Sequence, residues 1–456
     1  MEPLDAPLAR WVREPPLALP PDAPLGDALH AMAARRVGSV LVVDAAGTAL
    51  GILTRHDLLG RVLLPGMALH VPLAQVMSWP VHTLDRGASA QDAVLLMARE
   101  GLRHVPITDG GRVVGIVSER DLFALQRLSL RHIGDAIDAA AGLPALQQAA
   151  ADIRRHGAQL LAQGLAPAAL TALHSGLVDR LTRRLVALEA AAAGLDLGRA
   201  CWLAFGSEGR EEQTVVTDQD NGLVLADDLP PEAHARWRAF GAAVNAGLDA
   251  CGIPLCRGGV MAGQAACCLS QHAWRERFAH WIDHGTPQDV LAATIFFDLR
   301  PVAGATALAL PLRRFVQERA AAAPRFIRQL AAHALAQRPP LAWHGGVAGE
   351  LDLKLQGTAI FVEAARVLAL ATGVAATGTA ARLEQAGAAL GVPATERETW
   401  VAAFQHLQRL RLAAQAAGHG NHCDVAALNM LDRRMLRETL HVAQGLQQRV
   451  ALDWAR

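Results

Sequence analysis

The chain has no tyrosine, one lysine and six cysteines in 456 residues. The cysteines stand at 201, 251, 256, 267, 268 and 423, and no Cys-x-x-Cys pair occurs. That pattern excludes a zinc ribbon and a small disulfide scaffold, and reduced thiols in a cytoplasmic protein are the expectation. A surplus of either charge is missing too, with 43 basic and 43 acidic residues. Bulk electrostatic binding to nucleic acid or to an anionic membrane is therefore not expected. No run of about 18 apolar, uncharged residues is present, so no membrane span is expected. Met1 to Pro21 are proline-rich, carry Glu2, Asp5, Arg10, Arg13 and Glu14, and lack the apolar centre of a signal peptide. The length excludes a single core and suggests about three domains. Arg serves at every basic position except Lys354. Either a compact ammonium is needed there or the residue survived by chance.

What is present begins with an internal repeat. One copy reads Val37-Gly38-Ser39-Val40-Leu41-Val42-Val43-Asp44 and then Gly51-Ile52-Leu53-Thr54-Arg55-His56-Asp57-Leu58. The other reads Leu102-Arg103-His104-Val105-Pro106-Ile107-Thr108-Asp109 and then Gly115-Ile116-Val117-Ser118-Glu119-Arg120-Asp121-Leu122. An amphipathic helix precedes each, over Leu25 to Arg35 and Ala90 to Glu100. The order helix, strand, strand, helix occurs twice, which predicts a tandem α/β module. Thr or Ser with Asp three residues on caps a helix whether or not a ligand binds.

From Leu128 to Leu195 leucines recur at three- and four-residue spacing, predicting several helices with a break near Gly164 to Pro167. An α/β segment follows from about Arg199 to Val302. Strands are expected at Trp202–Phe205 and Leu223–Ala226, and a helix at Pro231–Ala250. Cys256 to Ala262 makes a Gly-rich turn, and the tryptophans of a helix over His272–Ile282 are expected in the core. Thr294 to Arg300 reads as a buried strand bearing Asp298. Beyond Pro311 the chain is helical.

The segment Gly206 to Val224, GSEGREEQTVVTDQDNGLV, lies between two apolar runs. Side chains at i and i+2 of a strand share a face, so Asp218 and Asp220 converge at a Cα separation of roughly 6.6 Å. Two like charges held together call for a cation, and hard oxygen ligands suit Mg²⁺. Gly206 and Ser207 offer a turn able to hold phosphate oxygens. His419 to Cys423 has metal-ligand residue types in one short loop, without identifiable partners for zinc.

Two resemblances follow from these motifs. Residues 17–125, through Gly51 to Asp57 and Gly115 to Asp121, resemble a CBS domain pair (Bateman module). The resemblance implies that Thr54, Asp57, Ser118 and Asp121 hold an adenosine nucleotide, and that pairs associate, making a homodimer the expectation. The Gly-Ser and Thr-Asp-x-Asp signature resembles the nucleotidyltransferase superfamily of DNA polymerase β-like fold. It is close to the uridylyltransferase that modifies nitrogen-signalling regulators. It is closer still to the bacterial family of CBS-linked nucleotidyltransferase-like proteins, domain of unknown function 294, whose Leu-Asp-Leu-Lys motif is matched by Leu351 to Lys354.

The resemblance implies a multidomain α/β plus α chain. Its parts are a CBS pair over 1–126, a helical linker over 127–198, an α/β nucleotidyltransferase core over 199–310 and a C-terminal helical bundle over 311–456. Asp218 and Asp220 would hold two Mg²⁺ ions, with Asp298 as third carboxylate because an unpaired charge in an apolar strand is costly. Gly206 and Ser207 would cradle phosphate. Arg210, expected to pair with Glu212, could also reach it, as could Arg257, and Lys354 could contact the nucleotide or pair with Asp352. The expected activity is transfer from an NTP to an acceptor, a protein among the candidates, tuned by adenosine nucleotides. The alternative is a catalytically inactive nucleotide-sensing regulator that acts through partner binding.

Overall fold

The computed structural model describes residues 7–10, 12, 15–100, 102–118, 132–215, 217–341, 347 and 349–454. The chain divides into two compact units, Met1–His132 and Ile133–Arg456.

The first unit carries the repeat as read. Its first copy comprises β1 (Ala18–Leu19), α1 (Leu25–Arg35), β2 (Ser39–Val43) and β3 (Ala49–Thr54). The second comprises β4 (Leu84–Asp85), α2 (Ala90–Glu100), β5 (His104–Asp109) and β6 (Arg112–Ser118). In each copy a short strand runs parallel to the first strand of an antiparallel hairpin. The first hairpin turns where Asp44 Oδ1 accepts the amides of Ala46 and Thr48. Leu25, Ala28 and Met32 of α1 pack on Val40, Val42 and Leu53. The second copy repeats this with Met97, Val105, Ile107 and Val117.

The second unit is built on a four-stranded sheet. β7 (Ala200–Ala204) lies between β10 (Arg300–Gly304) and β8 (Asn221–Leu225), and β9 (Cys268–Ser270) flanks β8. β7 pairs antiparallel with both neighbours, while β9 runs parallel to β8. Both faces are covered, which is why these strands read as unbroken apolar runs. Ala200, Trp202 and Ala204 face a core that includes Leu181, Leu185, Phe240 and Val244. Those residues belong to α4 (Pro167–Ala193) and α5 (Pro231–Ala250). α3 (Leu143–Ala162) adds Leu146 and Ile153 to the same core. The stretch read as a linker thus contributes one cover of the sheet, and its helices break at 162/167 as the sequence suggested.

Cys201, Leu203 and Phe205 face the other way, into a core continuous with the C-terminal helices. Aromatic rings dominate this junction. Phe205 stacks against Trp274 and Phe296, with ring centroids 5.8 Å and 4.8 Å apart. Trp274, fully buried on α6 (Gln271–His284), donates its indole N–H to Leu223 O at 2.9 Å. Truncating either Phe205 or Trp274 to Ala should cost about 3–5 kcal/mol.

Residues 294–296 are not a strand. They end α7 (Pro287–Phe296), which Thr286 and Asp289 start as a reciprocal capping box with Pro287 in the first turn. Asp298 therefore lies on the bend between α7 and β10. The helical region continues through α8 (Leu310–Ala321), α9 (Pro324–Ala336), α10 (Ala359–Thr372), α11 (Thr379–Ala389), α12 (Ala394–Ala416) and α13 (Met430–Trp454). A small antiparallel pair, β11 (Glu350–Asp352) and β12 (His422–Asp424), closes it. The helical stretch Lys354–Thr372 is long and apolar enough to cross a membrane, but most of it is buried within the protein.

Asp298 joins these parts. It is completely buried, and its Oδ2 accepts from Arg210 Nη1 at 2.6 Å and from Arg366 Nη2 at 2.7 Å. Its Oδ1 accepts from Arg382 Nη1 at 2.6 Å. Burial alone would raise its pKa, but Arg366, Arg382 and Arg210 hold it well below the usual carboxylate range. Glu363 takes a second hydrogen bond from Arg366, and Glu212 takes one from Arg210. Three guanidiniums thus meet three carboxylates. Removing one member of such a set leaves buried charge uncompensated. We predict that Asp298→Asn lowers stability by about 3–5 kcal/mol in chemical denaturation. An unchanged midpoint would contradict a structural role for this carboxylate.

Candidate active site

The site begins where β7 leaves the sheet. Gly206 adopts φ +51°, and a Cβ there would stand 2.6 Å from Asp220 Oδ2. Only glycine both accepts this conformation and lets the carboxylate close on the turn. Gly206–Gly209 then form a single helical turn. A Cβ on Gly209 would overlap the carbonyl oxygen of Asp298 at 1.6 Å. The turn is thus pressed against the Asp298 bend. The amides that open the turn lack intrahelical acceptors, so they are available to phosphate oxygens, with the partly buried Ser207 beside them.

Asp218 and Asp220 occupy the extended run just before β8, not the strand itself. The alternation still holds. Gln219 and Asn221 are fully buried and tie this run to the core. Asn245 Nδ2 donates to Gln219 Oε1 and to Asn221 Oδ1, both at 2.8 Å. Gln219 Nε2 donates to the carbonyls of Asn245 and Ile253. Asn221 Oδ1 also accepts the amide of Ala262 at 2.9 Å. With Gln219 and Asn221 so fixed on one side of the run, Asp218 and Asp220 share the opposite side. Neither makes an ion pair among the described residues. Burial, then the charge of Asp218, pushes Asp220 up to about 7, against the opposing pulls of the Cys256 thiol, Lys354 and Arg210. Cys256 Sγ lies 3.5 Å from Asp220 Oδ1.

A third acid stands in this field. Glu208 is 8% exposed, and burial, then Asp220 and Asp179, raises its pKa well above the ordinary value. Its main-chain carbonyl accepts from Arg300 Nη2 at 2.8 Å, and Arg300 is itself clamped by both oxygens of Asp179. The sequence reading passed over Glu208. The only signal for it was an acid inside the Gly-Ser-x-Gly turn.

The expectation that Asp298 completes a metal set is corrected by the geometry. Both its oxygens are taken by arginines. Among the described residues no group of three His, Cys, Asp or Glu could hold a metal ion, and this includes the loop at His419 to Cys423. The two-ion arrangement with three protein carboxylates therefore has no support here. Asp218 and Asp220 still fit one hard divalent cation. The pair carries excess negative charge, and Mg²⁺ is commonly held by one or two carboxylates together with substrate phosphates.

The other predicted residues divide clearly. Arg210 pairs with Glu212 at 2.9 Å as expected, but its second bond, to Asp298, turns it into the core. Glu212 extends the contact by accepting from Thr379 Oγ1 at 2.9 Å, at the start of α11. Arg257 is exposed beside Cys256 and makes no ion pair among the described residues. Lys354 is exposed, and its charge is one of the weaker influences that lower Asp220. It does not pair with Asp352, whose Oδ1 instead accepts the amides of Lys354 and Leu355 at 2.8 Å and 2.9 Å.

In the first unit, Thr54 and Asp57 form a capping box, with Asp57 Oδ2 accepting from Thr54 N at 2.8 Å and Thr54 Oγ1 at 2.6 Å. Asp57 Oδ1 takes Ser78 Oγ at 3.1 Å. Ser118 ends β6. Asp121 lies outside the described residues.

The comparisons agree with this architecture. Residues 8–64 and 73–127 match the CBS domain. Residues 151–288 match the family described as "Putative nucleotidyltransferase DUF294", and residues 324–454 match its "Putative nucleotidyltransferase substrate binding domain". The CBS domain-containing protein YhcV of Bacillus subtilis is 32% identical over 117 residues, 26% of this chain and 82% of that protein. An uncharacterized protein of Methanopyrus kandleri is 34% identical over 92 residues, 20% of this chain. The chain spans 47% of the length of that relative. A conserved protein of Pyrococcus horikoshii with a crystal structure is 26% identical, covering 27% of this chain and 95% of that one, with TM-score 0.26. A CBS domain protein from Pyrobaculum aerophilum complexed with AMP is 24% identical, covering 25% of this chain and 89% of that one, with TM-score 0.24. The chain belongs to the family in which a CBS domain pair is joined to a DUF294 nucleotidyltransferase domain and its C-terminal partner.

The raised pKa of Asp220 gives a signed prediction. In the unfolded chain Asp220 titrates at its ordinary value, near 3.8, and in the folded chain near 7. Between these values the folded state holds the extra proton, so stability of the metal-free protein falls as pH rises through that window. Asp220→Asn removes this loss. The variant should therefore melt higher than the native protein at pH 8 and converge with it near pH 4. A variant that melts lower at pH 8 would show that the carboxylate is satisfied without a cation.

Proposed function

We propose that the protein transfers a nucleotidyl group from a nucleoside triphosphate to an acceptor hydroxyl, a protein side chain being the first class to test: the acceptor oxygen bonds to the α-phosphorus, the bond from that phosphorus to the bridging oxygen of the β-phosphate breaks, and pyrophosphate leaves. One observation carries the reading: two carboxylates, Asp218 and Asp220, face one way against the Gly206 turn with no ion-pair partner among the described residues. Mg²⁺ bound to them would polarise the phosphate and offset its charge. The chain's own contribution is positioning. Gly206 and Ser207 hold phosphate oxygens, and the Gln219–Asn221–Asn245 network keeps the aspartates from rotating away. Effective molarity from such placement is a large share of catalysis in phosphoryl chemistry. The full chain should label an acceptor from radiolabelled ATP, UTP, CTP or GTP with Mg²⁺, and Asp218→Asn/Asp220→Asn should abolish it. Labelling that survives in the double variant would remove these residues from the chemistry.

The CBS pair is proposed to bind an adenosine nucleotide at Thr54, Asp57 and Ser118, with Asp121, and to form the contact of a homodimer. A ligand shifts activity only through different affinity for two states. AMP or ATP at about 100 times its Kd should stabilise the native protein by about 2.7 kcal/mol without metal. That gain should vanish in Asp57→Asn and persist in Asp218→Asn. Loss of the gain in Asp218→Asn instead would move the ligand to the other unit.

The withdrawal of Asp298 favours a second reading, a nucleotide-sensing regulator without turnover. Mg²⁺-dependent NTP binding at Asp218 with no labelling of any acceptor would support it.

A further inference from the structure

The helical cover of the four-stranded sheet encloses a cavity of about 30 Å³ that is partly open to solvent. Arg154 and His174 line it from α3 and α4, and Gln213 and Thr217 from the run that leads to Asp218. Gly252 and Ile253, just after α5, complete the wall. A water needs about 10–15 Å³ of such space, so the enclosed part has room for about two waters, the size of a carboxylate group.

The polar atoms of this wall do not satisfy one another. Gln213 is 3% exposed, and its Oε1 accepts no hydrogen bond among the described residues. His174 Nδ1 is buried and also lacks a partner among them. Burial, then the charge of Arg154, lowers the His174 pKa to about 4, so its ring is neutral at pH 7. A buried polar atom without a partner costs stability, and a ligand that supplies the partner recovers that cost.

Arg154 brings the charge. Its guanidinium lies against Gly252, where φ is +84° and a Cβ would stand 2.6 Å from Nη1. A side chain at 252 would therefore displace the guanidinium. Nη1 donates to the carbonyl of Cys251 at 2.6 Å, which holds the group in place. Arg154 makes no ion pair among the described residues, and its Nη2 has no acceptor among them. A guanidinium so seated suits a carboxylate, which it can meet with charge-assisted hydrogen bonds.

We propose that this cavity binds the carboxylate end of a small organic acid that carries a hydrogen-bond donor, a hydroxyl or an amine, on its α-carbon. The carboxylate meets Arg154. The α-donor meets Gln213 Oε1, an oxygen that can only accept, and His174 Nδ1 is a second acceptor in the tautomer protonated at Nε2. The rest of the acid extends through the opening. An occupant would also touch both supports of the aspartate run: Gln213 and Thr217 precede Asp218, and the carbonyl of Ile253 accepts from Gln219 Nε2 at 2.8 Å. The site stands apart from the aspartate pair and does not depend on reading that pair as a nucleotide site.

The test titrates the full chain, without metal or nucleotide, with glycolate, glycine and acetate, read by saturation-transfer NMR and calorimetry. Saturable binding of glycolate or glycine is expected, about threefold or more tighter than that of acetate, which lacks the α-donor. Arg154→Gln should weaken it roughly tenfold or more. Gln213→Glu keeps the shape but sets a like charge against the ligand, and should abolish binding. Asp218→Asn should bind as the native protein does. A crystal of the native protein soaked in glycolate should show the acid between Arg154 and Gln213, a readout that stands even where a variant fails to fold. Binding of glycolate without glycine, or the reverse, supports the site and sets its donor as hydroxyl or amine. No saturable binding, water alone in the cavity of the soaked crystal, or acetate binding as tightly as both α-donor acids overturns the proposal. Binding unchanged in folded Arg154→Gln and Gln213→Glu also overturns it, and loss of binding in Asp218→Asn would move the anion to the aspartate turn and overturn it too.

Discussion

The buried ion cluster around Asp298 is the constraint on which the second unit depends. A single carboxylate with no exposure holds three arginines from the Gly-Ser loop, α10 and α11. Each guanidinium is expensive to desolvate, and the set is tolerable because every charge finds a partner. The consequence is geometric. Arg210 cannot leave Asp298 without exposing the others, so the turn at Gly206 is held to the C-terminal helices. Glu212 reinforces the junction by binding both Arg210 and Thr379. The α/β core and the helical region consequently share one apolar core as well as one ionic one.

That rigidity makes the strain at Asp218 and Asp220 sustainable. Their neighbours Gln219 and Asn221 are locked by amide hydrogen bonds to Asn245, so the aspartates cannot relieve their mutual repulsion by turning inward. A protein that keeps two partly buried acids together without a cation stores a cost against stability. Such costs concentrate at sites that bind something. The contrast with Asp298 is informative. Both acids are withdrawn from water, yet surrounding arginines lower Asp298 while burial and a like charge raise Asp220.

Much of this was legible in the sequence. The repeat, the capping Thr54 and Asp57, the Pro231–Ala250 helix and the i, i+2 placement of Asp218 and Asp220 all rest on local periodicity and turn chemistry, which a sequence displays directly. Thr294 to Arg300 reads as a strand because it is an apolar run bearing a single Asp, but the Thr286-Pro287-x-Asp289 start upstream makes its first residues the end of a helix. Asp298 was singled out for a sound reason, the cost of a buried charge, but the relief comes from Arg366 and Arg382, 68 and 84 residues away. No local pattern pairs them.

The central claim is that Asp218 and Asp220, and not Asp298, face a cation and its nucleotide. It is tested most directly by the anomalous scattering of Mn²⁺ in crystals of the full chain grown with a non-hydrolysable NTP analogue. The account predicts an Mn²⁺ peak between the carboxylates of Asp218 and Asp220, with Asp298 still enclosed by Arg210, Arg366 and Arg382. A metal coordinated by Asp298, or nucleotide bound with no metal at the aspartate pair, would contradict it.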